Sequence, residues 1–150
     1  DVGCYPMSFI SLFLKNDNKI VFNDVVGEIC HTDVDIAASA NLTVNDKIQC
    51  KIKIIFKEYF KNNSIIKGTK GSMTVGFPWA PEKKVFLEIY NKSRYYKSFV
   101  HSDLSVYANQ IQNVSNEFLE NNGNKNNRLF DIYKSLENMT YLDRWMQSIR

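Results

Sequence analysis

The chain has 150 residues, of which 44% are hydrophobic and 23% are charged, and this composition excludes a disordered protein. The length suits one domain with its own core, so we predict a single domain over residues 1–150. The net charge of +3 is too small to indicate nucleic-acid binding. No stretch approaches the roughly 18 apolar residues of a membrane-spanning helix, so we expect no membrane insertion.

The first half of the chain has the patterns of β-strands. Residues 7–15 are apolar and β-favouring, and an Asn/Asp turn separates them from residues 19–30, which predicts a hairpin. Residues 32–42 fit either a strand or a short helix. Residues 45–60 alternate apolar and polar side chains and predict the clearest strand in the chain.

The middle of the chain continues this pattern with shorter elements. Three glycines and two prolines divide residues 65–84 into short strands and turns. Residues 85–90 and 94–100 alternate on either side of a possible turn, so they predict two further antiparallel strands.

The apolar period changes to that of helices after residue 101. Apolar residues recur every three or four positions over about 102–122 and again over about 128–149, which predicts two amphipathic helices. A short loop would make these helices antiparallel neighbours. We therefore predict an α+β fold, with six or seven mostly antiparallel strands over residues 7–100, in a sheet or sandwich, followed by a C-terminal helical hairpin.

Three cysteines bear on the cellular compartment of the protein. Cys30 and Cys50 lie in predicted strands and are our predicted disulfide pair, while Cys4 would be an odd thiol that could link two chains. In a cytoplasmic protein all three would be reduced thiols. The chain begins with Asp1 instead of Met, which is compatible with a removed signal peptide or with a chosen starting point.

N-glycosylation sequons point to secretion more strongly. The sequence has five, where chance predicts about two, and none has Pro in the middle. Glycans are added only on the secretory route and at exposed positions, so these asparagines predict a secreted glycoprotein: Asn41, Asn62, Asn91, Asn113 and Asn138.

Groups suited to catalysis are few. His31, Asp33 and Asp35 would share one face of an extended strand and could hold a metal, but a half-exposed strand has the same pattern. His101 precedes Ser102 and Asp103, which are better explained as helix-capping residues than as a catalytic triad. The glycines of residues 68–76 match no phosphate-binding fingerprint. We predict no catalytic residue, no metal and no cofactor.

Aromatic residues are the best candidates for a binding surface. Phe77 and Trp79 flank a proline in a stiff loop, although Trp79 could equally fill the core. Tyr95 and Tyr96 would lie on opposite faces of a strand. The lysines at positions 47, 51, 53 and 57 form one row, but that row has no interleaved aromatic residues and is best explained as a solvated face.

These observations lead to a functional expectation with two alternatives. We expect a secreted, N-glycosylated, non-enzymatic module, such as an immunomodulator, that binds another protein and no nucleic acid. The first alternative is an intracellular, cytoplasmic scaffold protein with reduced thiols. The second is a small hydrolase or metal-dependent enzyme that uses His31 or His101.

Overall fold

A computed structural model describes residues 2–14, 19–56, 58–59, 62–120 and 132–150. The chain divides into two compact units. Unit 1 comprises Asp1–Tyr59 and Phe130–Arg150, and unit 2 comprises Phe60–Leu129. Each unit has its own antiparallel sheet. The single domain over residues 1–150 stays a prediction.

The described residues form three helices and seven strands. Unit 1 contains the helices α1 (Cys4–Ser11) and α3 (Ile132–Ile149) and the strands β1 (Ile20–Ile29), β2 (Asp35–Val44) and β3 (Ile48–Ile55). Unit 2 contains the strands β4 (Asn63–Gly68), β5 (Gly71–Gly76), β6 (Lys84–Asn91) and β7 (Arg94–His101) and the helix α2 (Val106–Glu120). In each unit the strands pair in the order of the sequence.

The core of unit 1 lies between one face of its sheet and the helices α1 and α3. Every second residue of β2 from Ala38 to Val44 is buried, and so are Ile52 and Ile54 on β3. Side chains of α1 and α3 cover this face, foremost Met7 and Trp145, which are 1% and 2% exposed. The apolar side chains that alternate along the strands therefore pack against the apolar faces of the helices in one core.

The predicted strand over residues 7–15 is wrong, because its first part belongs to helix α1. Met7, Ile10 and Ser11 are buried, and their spacing of three and four residues is that of one helix face. A short apolar run fits a buried helix and a strand equally well, so the sequence alone could not decide between them. The predicted hairpin partner of this segment, β1, pairs instead with β2.

The alternating stretch 47–56 forms β3, as predicted. Ile52 and Ile54 point into the core, Cys50 is half-buried beside them, and Lys51 and Lys53 are exposed. The segment that fitted either a strand or a helix contributes most of β2, so its alternation outweighs its alanine run.

Unit 2 is built on a four-stranded sheet with tight connections. Gly68 pairs with Gly71 across the β4–β5 turn, and a side chain at Gly71 would collide with the backbone of Tyr90. Lys92 has a positive φ in the short β6–β7 turn. The Ser105 side chain accepts a hydrogen bond from the backbone N–H of Ala108 and so caps the start of α2.

The predicted α+β class is confirmed, with antiparallel sheets and a C-terminal helix. The strands number seven in the described residues, but they form a three-stranded and a four-stranded sheet, so the prediction of a single sheet is not confirmed. Helices α2 and α3 lie within the two predicted helical ranges and belong to different units. The connection between them lies outside the described residues, and the antiparallel hairpin stays a prediction. No described helix is long and apolar enough to span a membrane.

Candidate functional site

The outward face of α1 combines a phenol with apolar side chains. Tyr5 is 49% exposed on this short helix, and Leu12 and Phe13 are exposed directly after its last residue. Phe9 contacts Phe13 edge to face, with ring centroids 5.5 Å apart. These residues lie away from Met7 and Ile10, which face the core. An exposed apolar surface of this kind is typical of a site that contacts another molecule or domain.

A cleft of about 320 Å³ lies in unit 1 beside the first turn of α1. Its walls include Gly3, Cys4 and Trp145, and two carboxylates, Asp35 and Asp143. A side chain at Gly3 would come within 3.2 Å of the Trp145 ring, so this glycine keeps α1 close to α3. The cleft therefore offers a weak hydrogen-bond donor, the Cys4 thiol, and two acceptors, the carboxylates of Asp35 and Asp143, on an apolar wall.

A second cleft, of about 340 Å³, lies within unit 2 between the ends of β6 and β7 and the helix α2. His101 lines it together with apolar residues such as Val85 and Val100. The Ser102 hydroxyl is engaged in local structure, because it donates to the Leu104 carbonyl at 3.0 Å and accepts from the Asn109 amide at 2.8 Å. Ser102 therefore orders the turn before α2, and Ser105 caps the helix in place of the predicted Ser102 or Asp103.

One face of the unit 2 sheet carries charged and aromatic side chains, which we call the aromatic–lysine face. Directly paired residues of antiparallel strands share a face, and β6 pairs with β7. Four pairs therefore form this face: Lys84 with His101, Phe86 with Phe99, Glu88 with Lys97, and Tyr90 with Tyr95.

Close contacts hold the aromatic–lysine face together. The Lys84 ammonium lies 4.3 Å from the centre of the Phe99 ring, and the Lys97 ammonium lies 5.1 Å from that of Phe86, which are cation–π distances. Lys97 also forms an ion pair with Glu88 at 2.8 Å. The Phe86 ring covers Gly76 so closely that any side chain there would collide with it.

These contacts shift the titration of three groups. The hydrogen bond from Lys97, and then that from Tyr95, lowers the pKa of Glu88 below its usual range. The same bond to Glu88 raises the pKa of Lys97. Partial loss of hydration, followed by the hydrogen bond to Glu88, raises the pKa of Tyr95. Each shift favours the charged forms of Glu88 and Lys97 and the neutral phenol of Tyr95.

The predicted binding aromatics do not come together in one site. Tyr95 lies on the aromatic–lysine face, and Tyr96 lies on the opposite face of the same strand. Phe77 is exposed after β5, where its backbone N–H donates to the carbonyl of Asn62, and Trp79 is half-buried. The sequence indicated Tyr95 but missed Lys84, Phe86 and Phe99, because their common face depends on strand register.

The predicted Cys30–Cys50 disulfide is wrong, because all three cysteines are free thiols. Cys50 is opposite Leu42, which is opposite Phe22 on β1. Cys30 lies beyond the far end of β1, roughly 25 Å from Phe22 along an extended strand. A disulfide requires Cα atoms within about 7 Å.

The turn that contains Cys30 holds its thiol in a polar setting. The Cys30 thiol and the Thr32 hydroxyl are 2.9 Å apart, and hydrogen bonds with Thr32 and then with the backbone lower the pKa of this thiol. Burial has the opposite effect on Cys50 and raises its pKa. His31 is exposed in the same turn, and within the described ranges no three His, Cys, Asp or Glu residues could hold a metal ion.

One predicted glycosylation site is inaccessible. Asn138 is buried on α3, and its amide donates a hydrogen bond to the Ser8 hydroxyl of α1 at 3.0 Å. A glycan there would force the two helices apart, so the burial of Asn138 is against this predicted glycosylation site. Asn91 and Asn113 are exposed, and Asn41 and Asn62 are half-buried.

Comparison with known proteins identifies the fold. No protein-family model and no curated protein sequence matches the chain. Solved structures of KijD10, a 3-ketoreductase from Actinomadura kijaniata, are similar to it. The open conformation with TDP-benzene and NADP has a TM-score of 0.70 and 18% identity, and the match covers 93% of this chain and 42% of that one.

Two variants of the same enzyme give matching results. A lysine-to-alanine variant has a TM-score of 0.71 at 17% identity over 99% of this chain and 44% of that one. A tyrosine-to-phenylalanine variant has a TM-score of 0.69 at 16% identity over 91% and 40%. The chain thus spans about two fifths of the length of these structures, and it shares the fold of that part.

This likeness corrects our functional expectation. Nearly the whole chain has the fold of part of an NADP-bound reductase, so the prediction of a non-enzymatic binding module is wrong. The same finding overturns the associated prediction of a glycoprotein with an immunomodulatory role. The cellular location, secreted or cytoplasmic, and the protein partner stay predictions.

Proposed function

We propose that this chain provides the substrate side of a ketoreductase that reduces a ketone on a sugar. The single observation that carries this proposal is the fold, which matches part of a 3-ketoreductase over 93–99% of the chain. The outward face of α1 supports it, because that face presents a phenol within an apolar surface that a separate nucleotide-binding domain could cover.

The described residues do not fit the phosphates of NADP. A dinucleotide fingerprint needs glycines that let a phosphate approach the backbone at the start of a helix. Here Gly71 approaches the backbone of Tyr90, and Gly76 is covered by the Phe86 ring. The segment with these glycines, residues 68–76, is followed by further strands and not by a helix. We therefore assign no cofactor step to this chain and propose that a separate unit binds the nucleotide.

The chain's own part would be to bind the ketone and protonate its oxygen. Reduction of a ketone leaves an alcohol whose oxygen needs a proton, and a tyrosine phenol can donate one. Tyr5 is our candidate because it is exposed in the first turn of α1, next in sequence to Cys4 of the unit 1 cleft. A tyrosine-to-phenylalanine variant of the similar ketoreductase has also been solved.

The experiment uses the native protein that carries this chain, purified from its source. NADPH oxidation is followed by absorbance with a 3-ketosugar as substrate. We expect Tyr5→Phe to lower kcat about 100-fold or more with little change in KM, since general acids contribute about 10²–10⁴. Tyr107→Phe, which alters an exposed tyrosine on α2, should leave both constants unchanged.

Two results would refute parts of this proposal separately. If the native protein does not oxidise NADPH with any ketosugar, the ketoreductase function is wrong. If the native protein is active and Tyr5→Phe is equally active, the function stands and the role of Tyr5 is wrong.

A further inference from the structure

The unit 1 cleft beside α1 has two carboxylates and no described basic residue in its walls. Asp35 lines it from the start of β2 and Asp143 from α3. Neither carboxylate takes part in an ion pair between described residues. A cleft of this charge attracts cations and repels phosphates. We propose that the ketosugar bound at this site carries an amino group, whose ammonium form meets Asp35 and Asp143. The proposal rests on the ketoreductase function and names its substrate class.

The cation that fits this cleft is organic and not a metal ion. In the described ranges no three His, Cys, Asp or Glu side chains could hold a metal, and this includes Cys4, Asp35 and Asp143. The other walls are largely apolar, with Ile54 from β3 and Leu142 from α3. An ammonium group on a compact carbon skeleton satisfies both parts of the cleft, because its charge meets the carboxylates and its C–H groups meet the apolar walls.

The size and place of the cleft suit a single sugar ring. Its volume of about 320 Å³ is at the lower end of the roughly 300–1,000 Å³ of ligand pockets, so it suits one small molecule. Cys4 lines the cleft and is the first residue of α1, and Tyr5 follows it. An amino sugar whose ammonium lies in the cleft therefore has its ring beside the helical turn that carries our candidate proton donor.

The carboxylates should make the site selective for an amine over a hydroxyl. A hydrogen bond from an ammonium to a carboxylate is charge-assisted and about twice as strong as a bond between neutral groups. Asp35 is half-buried, so water screens its charge less than that of a fully exposed group. A neutral sugar leaves both carboxylates without a cation. We therefore expect an amino sugar to bind at least about tenfold more tightly than its hydroxyl counterpart.

The first test is a calorimetric titration of the native protein with glucosamine, glucose and N-acetylglucosamine, at a pH below the pKa of the glucosamine amine. These sugars have the C3 alcohol that reduction of a 3-ketosugar leaves. Glucosamine should bind at least about tenfold more tightly than either neutral sugar. Asp35→Asn and Asp143→Asn should each remove about tenfold of the glucosamine affinity and leave glucose binding unchanged.

The matched control is Asp46→Asn, which removes the same charge from an exposed turn of unit 1 outside the cleft. Glucosamine binding should be unchanged in this variant. Equal binding of glucosamine and N-acetylglucosamine would overturn the proposal, and so would equal weakening by Asp46→Asn and Asp143→Asn.

The second test separates this proposal from the ketoreductase function. NADPH oxidation by the native protein is compared for 3-ketoglucose and its 2-amino form, and kcat/KM should be at least about tenfold higher for the amino sugar. If 3-ketoglucose is reduced and the amino form is not preferred, the function stands and the amino-sugar assignment is wrong. If no ketosugar is reduced but glucosamine binding depends on Asp143, the ketoreductase function is wrong and the ammonium preference of the cleft stands.

Discussion

Gly27 should not accept a side chain, because Ile149 occupies the space where one would begin. A Cβ at this position of β1 would lie within 3.0 Å of three Ile149 side-chain carbons near the end of α3. Ile149 is β-branched, so it has few alternative rotamers. Overpacking of this kind costs about 1–3 kcal/mol, while replacing a strand glycine by alanine recovers about 0.5–1 kcal/mol. Gly27→Ala should therefore lower the free energy of unfolding of unit 1 by roughly 0.5–2 kcal/mol.

The measurement is urea unfolding followed by the fluorescence of one tryptophan. The chain has two, Trp79 in unit 2 and Trp145 in unit 1, so Trp145 reports unit 1 alone in a Trp79→Phe background. Ile149→Ala removes the colliding atoms, and in that background Gly27→Ala should be neutral or slightly stabilising. An equal loss of stability with and without Ile149 would refute the reasoning, because the cost would then come from the backbone and not from the collision.

Three further changes give separate tests. Cys30 should be alkylated faster than Cys50 near neutral pH, because hydrogen bonds with Thr32 lower its pKa and burial raises that of Cys50; peptide mass spectrometry measures both rates, and equal rates would contradict this. Burial, and to a smaller extent the hydrogen bond to Glu137, raises the pKa of Tyr141 to about 12, above its usual value of about 10. The folded state therefore holds this proton more tightly, so unit 1 should lose stability as pH rises from about 10 to about 12, and Tyr141→Phe should lessen that loss in urea titrations. Leu42→Ala should destabilise unit 1 by about 2–5 kcal/mol, since Leu42 is fully buried, and a smaller loss would show that the core refills the space.

Alternation of side chains predicted the strands well. Residues 45–60, 85–90 and 94–100 contain β3, most of β6 and most of β7, because a strand that faces a core on one side must alternate. Helices α2 and α3 were also predicted, and each lies within its predicted range. Alternation could not give the partner of each strand, so the sequence left open whether the strands form one sheet or a sandwich and did not predict two sheets in separate units.

The functional candidates were harder to predict, because they depend on long-range geometry. The sequence indicated Tyr95 as a binding residue, but its neighbours Phe86 and Phe99 come from a register that no local pattern encodes. Tyr5 was missed because it lies before the predicted strand of residues 7–15 and helix α1 was not foreseen. The sequons were interpreted as a sign of secretion, although Asn138 shows that one such triplet serves helix packing.

Unit 1 is assembled from the two ends of the sequence, with all of unit 2 lying between them. During synthesis the β1–β3 sheet therefore leaves the ribosome long before Trp145 and Tyr141, which cover its apolar face. At typical translation rates this interval is on the order of ten seconds. Unit 2 can finish folding within it, whereas the nascent sheet of unit 1 must stay unaggregated with its face bare. We therefore expect chaperones to bind the nascent chain at the sheet of unit 1.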